Sequence, residues 1–205
     1  MMSIAEPKIY LASKSPRRRE LLLQIGVQHE LLLLRSTPPR EPDISEEVCP
    51  GESPEDYVVR VTSEKASFAW KVMQMRNWVP RPVLAADTTV VVNGQIIGKP
   101  ADKIEAAAML RALSGRSHQV LTAIALQYHE QIWQTVQKSE VKFADLTDEM
   151  IDSYCASQEP YDKAGGYGIQ GMAAVFIEHI AGSYSGIMGL PLYETAQLLR
   201  QANVL

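Results

Sequence analysis

Several kinds of protein are excluded by what this sequence has little of. It holds two cysteines, Cys49 and Cys155, too few for a disulfide framework and without metal-ligand spacing, which fits a reducing compartment. No apolar run reaches membrane-spanning length, and the N-terminus lacks the basic start and apolar stretch of a signal peptide. A soluble, cytoplasmic protein is therefore expected, without a membrane partner. Positive charge is not in excess: 20 Lys and Arg stand against 24 Asp and Glu, for a net charge of -4. A general nucleic-acid binder would normally be basic. The balance still permits a small anionic ligand gripped by a local basic cluster. With 205 residues, 46% of them hydrophobic, the chain can bury one sizeable core or two small lobes. No internal repeat or domain boundary is visible, so residues 1–205 are expected to form a single domain.

The most informative stretch is Leu11-Ala-Ser-Lys-Ser-Pro-Arg-Arg-Arg-Glu-Leu-Leu22. Ser15 is a suitable helix N-cap, Pro16 a favoured first helical residue, and Gly26 stands where the helix would end. Arg17, Arg18 and Arg19 break the expected pattern. The N-terminal end of a helix already carries partial positive charge, so acids belong there. Three arginines at that end are costly unless an anion meets them, and a helix N-terminus with forked guanidinium donors is suited to phosphate. The preceding Lys8–Ser13 reads as a short buried strand, and a strand opening into a helix N-terminus is a usual phosphate address in α/β proteins.

Further along, Glu30–Leu34 reads as a second strand, and the residues from Arg35 to Gly51 as a surface loop carrying Glu41, Asp43, Glu46 and Glu47. Ser53-Pro-Glu-Asp56 starts a helix reaching about Val72, with Lys65 on it. Arg81–Ile97 reads as a hairpin turned by Asn93-Gly94, followed by Lys99 in the rigid Gly98-Lys-Pro100 turn. Within that hairpin, Asp87 interrupts a strand of apolar residues and threonine. A buried carboxylate there needs a cation, donors or water access, which makes it a functional candidate. A helix opened by Asp102 comes next, then a second hairpin from His118–Gln127 and Gln131–Phe143, then a short helix capped by Thr147. His118, entering a strand, is read as structural.

Gly166, Gly168 and Gly171 match the G-x-G-x-x-G dinucleotide fingerprint, but a polar helix end precedes them and an expected strand, Ala173–Ile180, comes after. The fingerprint needs a strand before and a helix after, so that reading fails. A glycine-dense loop with Asp162, Lys163, Tyr167 and Gln170 is nevertheless suited to wrapping a polar ligand. Gly182–Pro191 repeats the style, and an amphipathic helix from Leu192 to Ala202 closes the chain.

Taken in order, the stretch Leu11–Leu22, Ala86-Asp-Thr88, Gly115-Arg-Ser-His-Gln-Val-Leu-Thr122, and Glu159–Gly171 with Gly189-Leu-Pro191 resemble the Maf family of nucleoside triphosphate pyrophosphatases. The similarity runs from about Ile9 to Leu199. Asp162-Lys-Ala-Gly-Gly-Tyr-Gly-Ile-Gln-Gly171 looks like the branch acting on dTTP and UTP; the sister branch acts on 7-methyl-GTP.

The resemblance implies an α/β fold with an elongated mixed sheet flanked by helices, its two lobes enclosing a nucleotide cleft, as in Maf and ITPase-like proteins. It implies hydrolysis to a monophosphate and pyrophosphate with Mg²⁺ or Mn²⁺, admits a homodimer, and associates the chain with nucleotide house-cleaning and cell-division arrest. A 7-methyl-GTP pyrophosphatase and a non-catalytic nucleotide-binding regulator of cell division are the alternatives. By matching positions, Asp87 would accept the proton of the attacking water and touch the metal. Arg17, Thr88 and Gln170 would set substrate choice. Ser13, Arg18, Lys65 and Lys99 would bind substrate, and Glu46 would be a second carboxylate for the metal. The sequence departs from the family pattern in an apparent insertion at Arg35–Asp43, in Ser45 where an acid is common, and in Gly166 where alanine is common.

Overall fold

The computed structural model describes residues 8–35 and 43–205. The N-terminal stretch read for a signal peptide and the interior of the apparent insertion lie outside the described residues. The insertion's two ends meet: Asp43 accepts from the Arg35 backbone N–H at 2.8 Å and from its Nε at 2.7 Å.

A mixed seven-stranded sheet forms the centre, in the order β2-β1-β3-β5-β6-β7, with β4 added beside β3. β1 (Ile9–Leu11) runs parallel to β2 (His29–Leu31) and to β3 (Val83–Val92). The remaining pairings are antiparallel: β3 with β4 (Gln95–Ile97), β3 with β5 (Ser117–Tyr128), β5 with β6 (Gln131–Phe143), and β6 with β7 (Ile177–Ala181).

Successive residues of β3 face opposite sides, as the pleat requires. Leu84 and Ala86 pack with Leu22 of α1 (Pro16–Gln24) and Leu198 and Leu199 of α6 (Leu192–Gln201). Val83 and Ala85 pack instead under Ala66, Ala69 and Met73 of α2 (Pro54–Met75). At the other end, α3 (Lys103–Leu113) and α4 (Asp148–Cys155) cover a separate core that includes Phe143 and Tyr167. The long strands β3, β5 and β6 run through both regions, producing two lobes on one sheet.

The helix starts obey capping chemistry. Ser53 accepts from Asp56 N at 3.1 Å, Asp102 from Glu105 N at 2.9 Å, and Thr147 from Met150 N at 3.2 Å. α1 differs: Ser15 occupies the cap position but its side chain makes no capping bond. Its backbone N–H instead donates to Ser13 Oγ at 3.2 Å.

Two strand expectations are corrected. The second strand stops at Leu31 rather than Leu34, because β1, its only neighbour among the described residues, ends at Leu11; one further bond, from Leu32 N to Leu11 O, closes the ladder. Ala173–Ile180 is not one strand: Met172–Phe176 forms a 3₁₀ turn before β7. The Glu159 carboxylate accepts from Met172 N at 2.8 Å and Ala173 N at 3.4 Å, which favours a helical start there.

One edge of β3 carries a gap. β1 pairs with Val83 and Leu84, and β4 with Val90 to Val92. Between them the strand has no neighbour on that side among the described residues, so Asp87 and Thr88 are reachable from an opening in the sheet. The glycine loop closes over this opening. Gly165 has φ +71°, its N–H donates to Gly98 O at 2.9 Å, and a Cβ there would lie 2.9 Å from Val90 Cγ2. Gly165→Ala should therefore cost roughly 1–3 kcal/mol of stability, read from urea unfolding; an unchanged midpoint would count against this docking.

Candidate active site

The opening leads into a cleft of about 840 Å³ between the lobes. All nine side chains expected at the site from the sequence line it: Ser13, Arg17, Arg18, Glu46, Lys65, Asp87, Thr88, Lys99 and Gln170. They arrive from six separate parts of the chain. The β1–α1 junction brings Ser13 and the arginines, the acidic loop Glu46, α2 Lys65, β3 Asp87 and Thr88, the post-hairpin turn Lys99, and the glycine loop Gln170.

The arginine turn divides. Arg18 Nε donates to Gly189 O at 2.7 Å and Nη1 to Ala86 O at 2.7 Å and Ser13 Oγ at 3.2 Å, while Nη2 donates to Thr88 Oγ1 at 3.2 Å. A guanidinium has five N–H donors, so four of Arg18's are committed to protein. Arg18 therefore clamps together the segments that border the cleft, with one donor left uncommitted among the described residues. Burial lowers its pKa, and the Asp87 carboxylate acts in the opposite direction.

Gly189 fits this clamp. Its φ of +115° ends the short helix α5 (Tyr184–Met188), and a Cβ there would crowd both Arg18 Nε and Thr88 Oγ1 at 3.4 Å. Arg17 reaches across to Asp162 of the glycine loop at 3.4 Å. Arg19 is part-buried and lies outside the cleft lining. The first turn of α1, uncapped by any side chain, faces the cleft with Arg17 beside it, an arrangement that favours an anion.

On the opposite side of β3, Lys65 Nζ lies 2.7 Å from Asp87 Oδ1 and 2.6 Å from Glu46 Oε1. The other Asp87 oxygen, Oδ2, makes no hydrogen bond among the described residues. Burial pushes the Glu46 carboxyl upward, but Lys65, with Lys99 and Arg18 behind it, outweighs this and leaves it below its ordinary value. Lys99 is exposed and hydrogen-bonds to none of the described residues, and the exposed Gln170 amide likewise has no such partner.

Tyr57 is a cleft residue that sequence reasoning missed. Its hydroxyl donates to Glu46 O at 3.1 Å and so holds the acidic loop against α2. Burial and the Asp87 and Glu46 carboxylates push its pKa up to about 12, which keeps it a neutral donor. The spacing Tyr57, Val61, Lys65 was the available signal, since residues four apart share a helix face.

His118 lies outside the cleft lining, as its structural reading implies. It is buried with Nε2 2.7 Å from Tyr167 Oη and packs edge-on against Phe143 and Tyr167. Burial lowers its pKa to about 4, so it is neutral near pH 7.

This is an α/β protein whose mixed sheet is opened at one strand, with a carboxylate at that opening and cations on both sides of it. Residues 8–202 match the family described as Maf-like protein, and the chain belongs to that family. It is 52% identical over 203 residues to a dTTP/UTP pyrophosphatase of Nitrosospira multiformis, covering 99% of this chain and 98% of the relative. It is 54% identical over 199 residues to a dTTP/UTP pyrophosphatase of Aromatoleum aromaticum, covering 97% of each. The solved Ham1 protein of Staphylococcus aureus aligns with a TM-score of 0.43 and 18% identity, over 67% of this chain and 72% of that one. No helix among the described residues is long and apolar enough to cross a membrane.

Because the folded Glu46 carboxyl lies below its ordinary 4.5, its ionised form stabilises the fold. That contribution is complete above the unfolded value and is lost as pH falls through the folded one. The stability difference between wild type and Glu46→Gln should be constant above about pH 5 and shrink below about pH 4. Urea midpoints across this range measure it, and a pH-independent difference would rule out the Lys65–Glu46 pair as its source.

Proposed function

We propose that this chain hydrolyses nucleoside triphosphates, dTTP and UTP foremost, to the monophosphate and pyrophosphate. The observation that carries the reading is Asp87, held at one oxygen by Lys65 and open at the other, within a cleft whose remaining charged walls suit phosphate. The names of the relatives at about half identity support the choice of substrate.

Water attacks the α-phosphorus in line. The new P–O bond forms as the bond to the bridging oxygen breaks and pyrophosphate leaves. Asp87 Oδ2 accepts the water's proton, and Lys65 fixes the carboxylate's orientation. Arg17, Lys99 and the first turn of α1 balance the charge of the triphosphate and the departing pyrophosphate. Ser13 Oγ accepts from Ser15 N and Arg18 Nη1, so its own proton is available to a phosphate oxygen. Thr88 and Gln170 contact the base. A pure nucleotide sensor would have no use for an extra carboxylate beside a polyanion, which favours chemistry over the regulatory reading.

The donor set also fits a hard divalent cation. Glu46 and Asp87 converge on a single ammonium, and Mg²⁺ or Mn²⁺ is commonly held by one or two carboxylates together with substrate phosphate oxygens. No cluster of three or more His, Cys, Asp or Glu suited to a metal occurs among the described residues, so substrate and water would complete the shell. When bound, such an ion supplies charge neutralisation at the phosphates. The unpaired thiols of Cys49 and Cys155 fit a cytoplasmic setting, and the continuous sheet supports a single-domain reading.

The test is a panel of nucleoside triphosphates with Mg²⁺ or Mn²⁺, with products separated by chromatography. Monophosphate and pyrophosphate should appear, fastest from dTTP and UTP, and should vanish in metal-free buffer; orthophosphate release would overturn the reading. Asp87→Asn should fold and lose about 10²–10⁴-fold in kcat, whereas near-normal turnover would remove Asp87 as the base. Gln170→Ala should narrow the dTTP/GTP preference more than it lowers kcat. An unchanged preference would take Gln170 off the base.

A further inference from the structure

The register of β3 against β5 sets Thr88 directly opposite Thr122, and their Oγ1 atoms are 3.0 Å apart. Thr122 is fully buried and has one proton but two oxygens in reach. The second is the Gly186 carbonyl at 2.8 Å, which can only accept. Two oxygen lone pairs facing each other at that distance repel, so Thr122 donates to Gly186. The contact between the two threonines then requires Thr88 to be the donor. Thr88 Oγ1 also accepts from Arg18 Nη2 at 3.2 Å. A hydroxyl has one proton and two lone pairs. For Thr88 the proton goes to Thr122 and one lone pair to Arg18, which leaves a single lone pair on the part-exposed cleft side.

We propose that Thr122 is a positioning residue for specificity: through this relay it makes Thr88 an acceptor, and not a donor, towards the cleft. The inference rests on the substrate reading above and deepens it. The group recognised by Thr88 must bring a hydrogen. The N3–H of thymine and uracil does so; the bare N3 of cytosine, at the same ring position, does not. A site that meets an acceptor with an acceptor rejects it, because neither group is satisfied once water is excluded.

Thr122→Val removes the hydroxyl while keeping the side chain's shape. Gly186 O retains its bond from Gly189 N, so no buried carbonyl is orphaned, and the Thr88 proton is released to turn towards the cleft. The UTP/CTP ratio of kcat/KM should fall about tenfold while kcat for UTP changes little, and Thr122→Ser should restore the wild-type ratio. An unchanged ratio in a folded Thr122→Val protein, or an equal fall in Thr122→Ser, overturns the proposal. Should Thr122→Val fail to fold, wild type assayed with N3-methyl-UTP decides: at least a tenfold loss is expected, and equal turnover overturns the idea. If wild type hydrolyses no triphosphate, the substrate reading fails by itself. The relay is then judged from UMP against CMP affinity in the wild-type and Thr122→Val proteins. Preference for UMP that weakens in the variant supports it, and no difference overturns it.

Discussion

One guanidinium holds this cleft together. Arg18 projects from the first turn of α1 and donates to the Ser13 hydroxyl, the Ala86 carbonyl, the Thr88 hydroxyl and the Gly189 carbonyl. These acceptors belong to the end of β1, the open edge of β3 and the turn after α5, which are distant in sequence. A charge withdrawn from water needs its donors satisfied, and here four of the five are satisfied by the segments that must be brought together. Ala86 O would otherwise be an unpaired carbonyl at the place where the sheet has lost a neighbour. The clamp therefore makes the gap in the sheet tolerable, and the gap exposes Asp87.

The two faces of β3 divide the work. Asp87 points towards α2, where Lys65 bridges it to Glu46; Thr88 points towards α1 and α5, where Arg18 and Thr122 surround it. The carboxylate and the hydroxyl thus sit on adjacent residues with separate supporting networks. Along one strand, the pleat keeps the carboxylate away from the hydroxyl relay. The Lys65 ammonium occupies the point on which both carboxylates converge, offsetting their repulsion while leaving Asp87 Oδ2 open.

Much of this was legible residue by residue. Asp87 was marked by its setting in an apolar strand, the arginine turn by its conflict with the helix dipole, and the glycine loop by composition together with the failure of the dinucleotide pattern. Asn93-Gly94 correctly read as a hairpin turn, and Ser53, Asp102 and Thr147 as caps. The misreadings have local causes that sequence does not display. Leu33 and Leu34 are strand-like but have no strand to pair with among the described residues. Met172–Phe176 is helical because Glu159, far back in the chain, caps it. Tyr57 meets the acidic loop only because that loop folds back onto α2, a contact between separate segments.

The sequence by itself determined the chemical inventory: a basic helix start, a carboxylate in an apolar strand, a glycine-dense loop and the family to which they belong. By resemblance it assigned Arg17 and Arg18, and not Arg19, to the substrate. Only the tertiary structure supplies the acceptors that tie four donors of Arg18 to the protein and set Asp162 beside Arg17. The direction of the Thr88 proton belongs to the same class. It depends on a strand register and on a carbonyl from another element, and both exist only once the chain is folded.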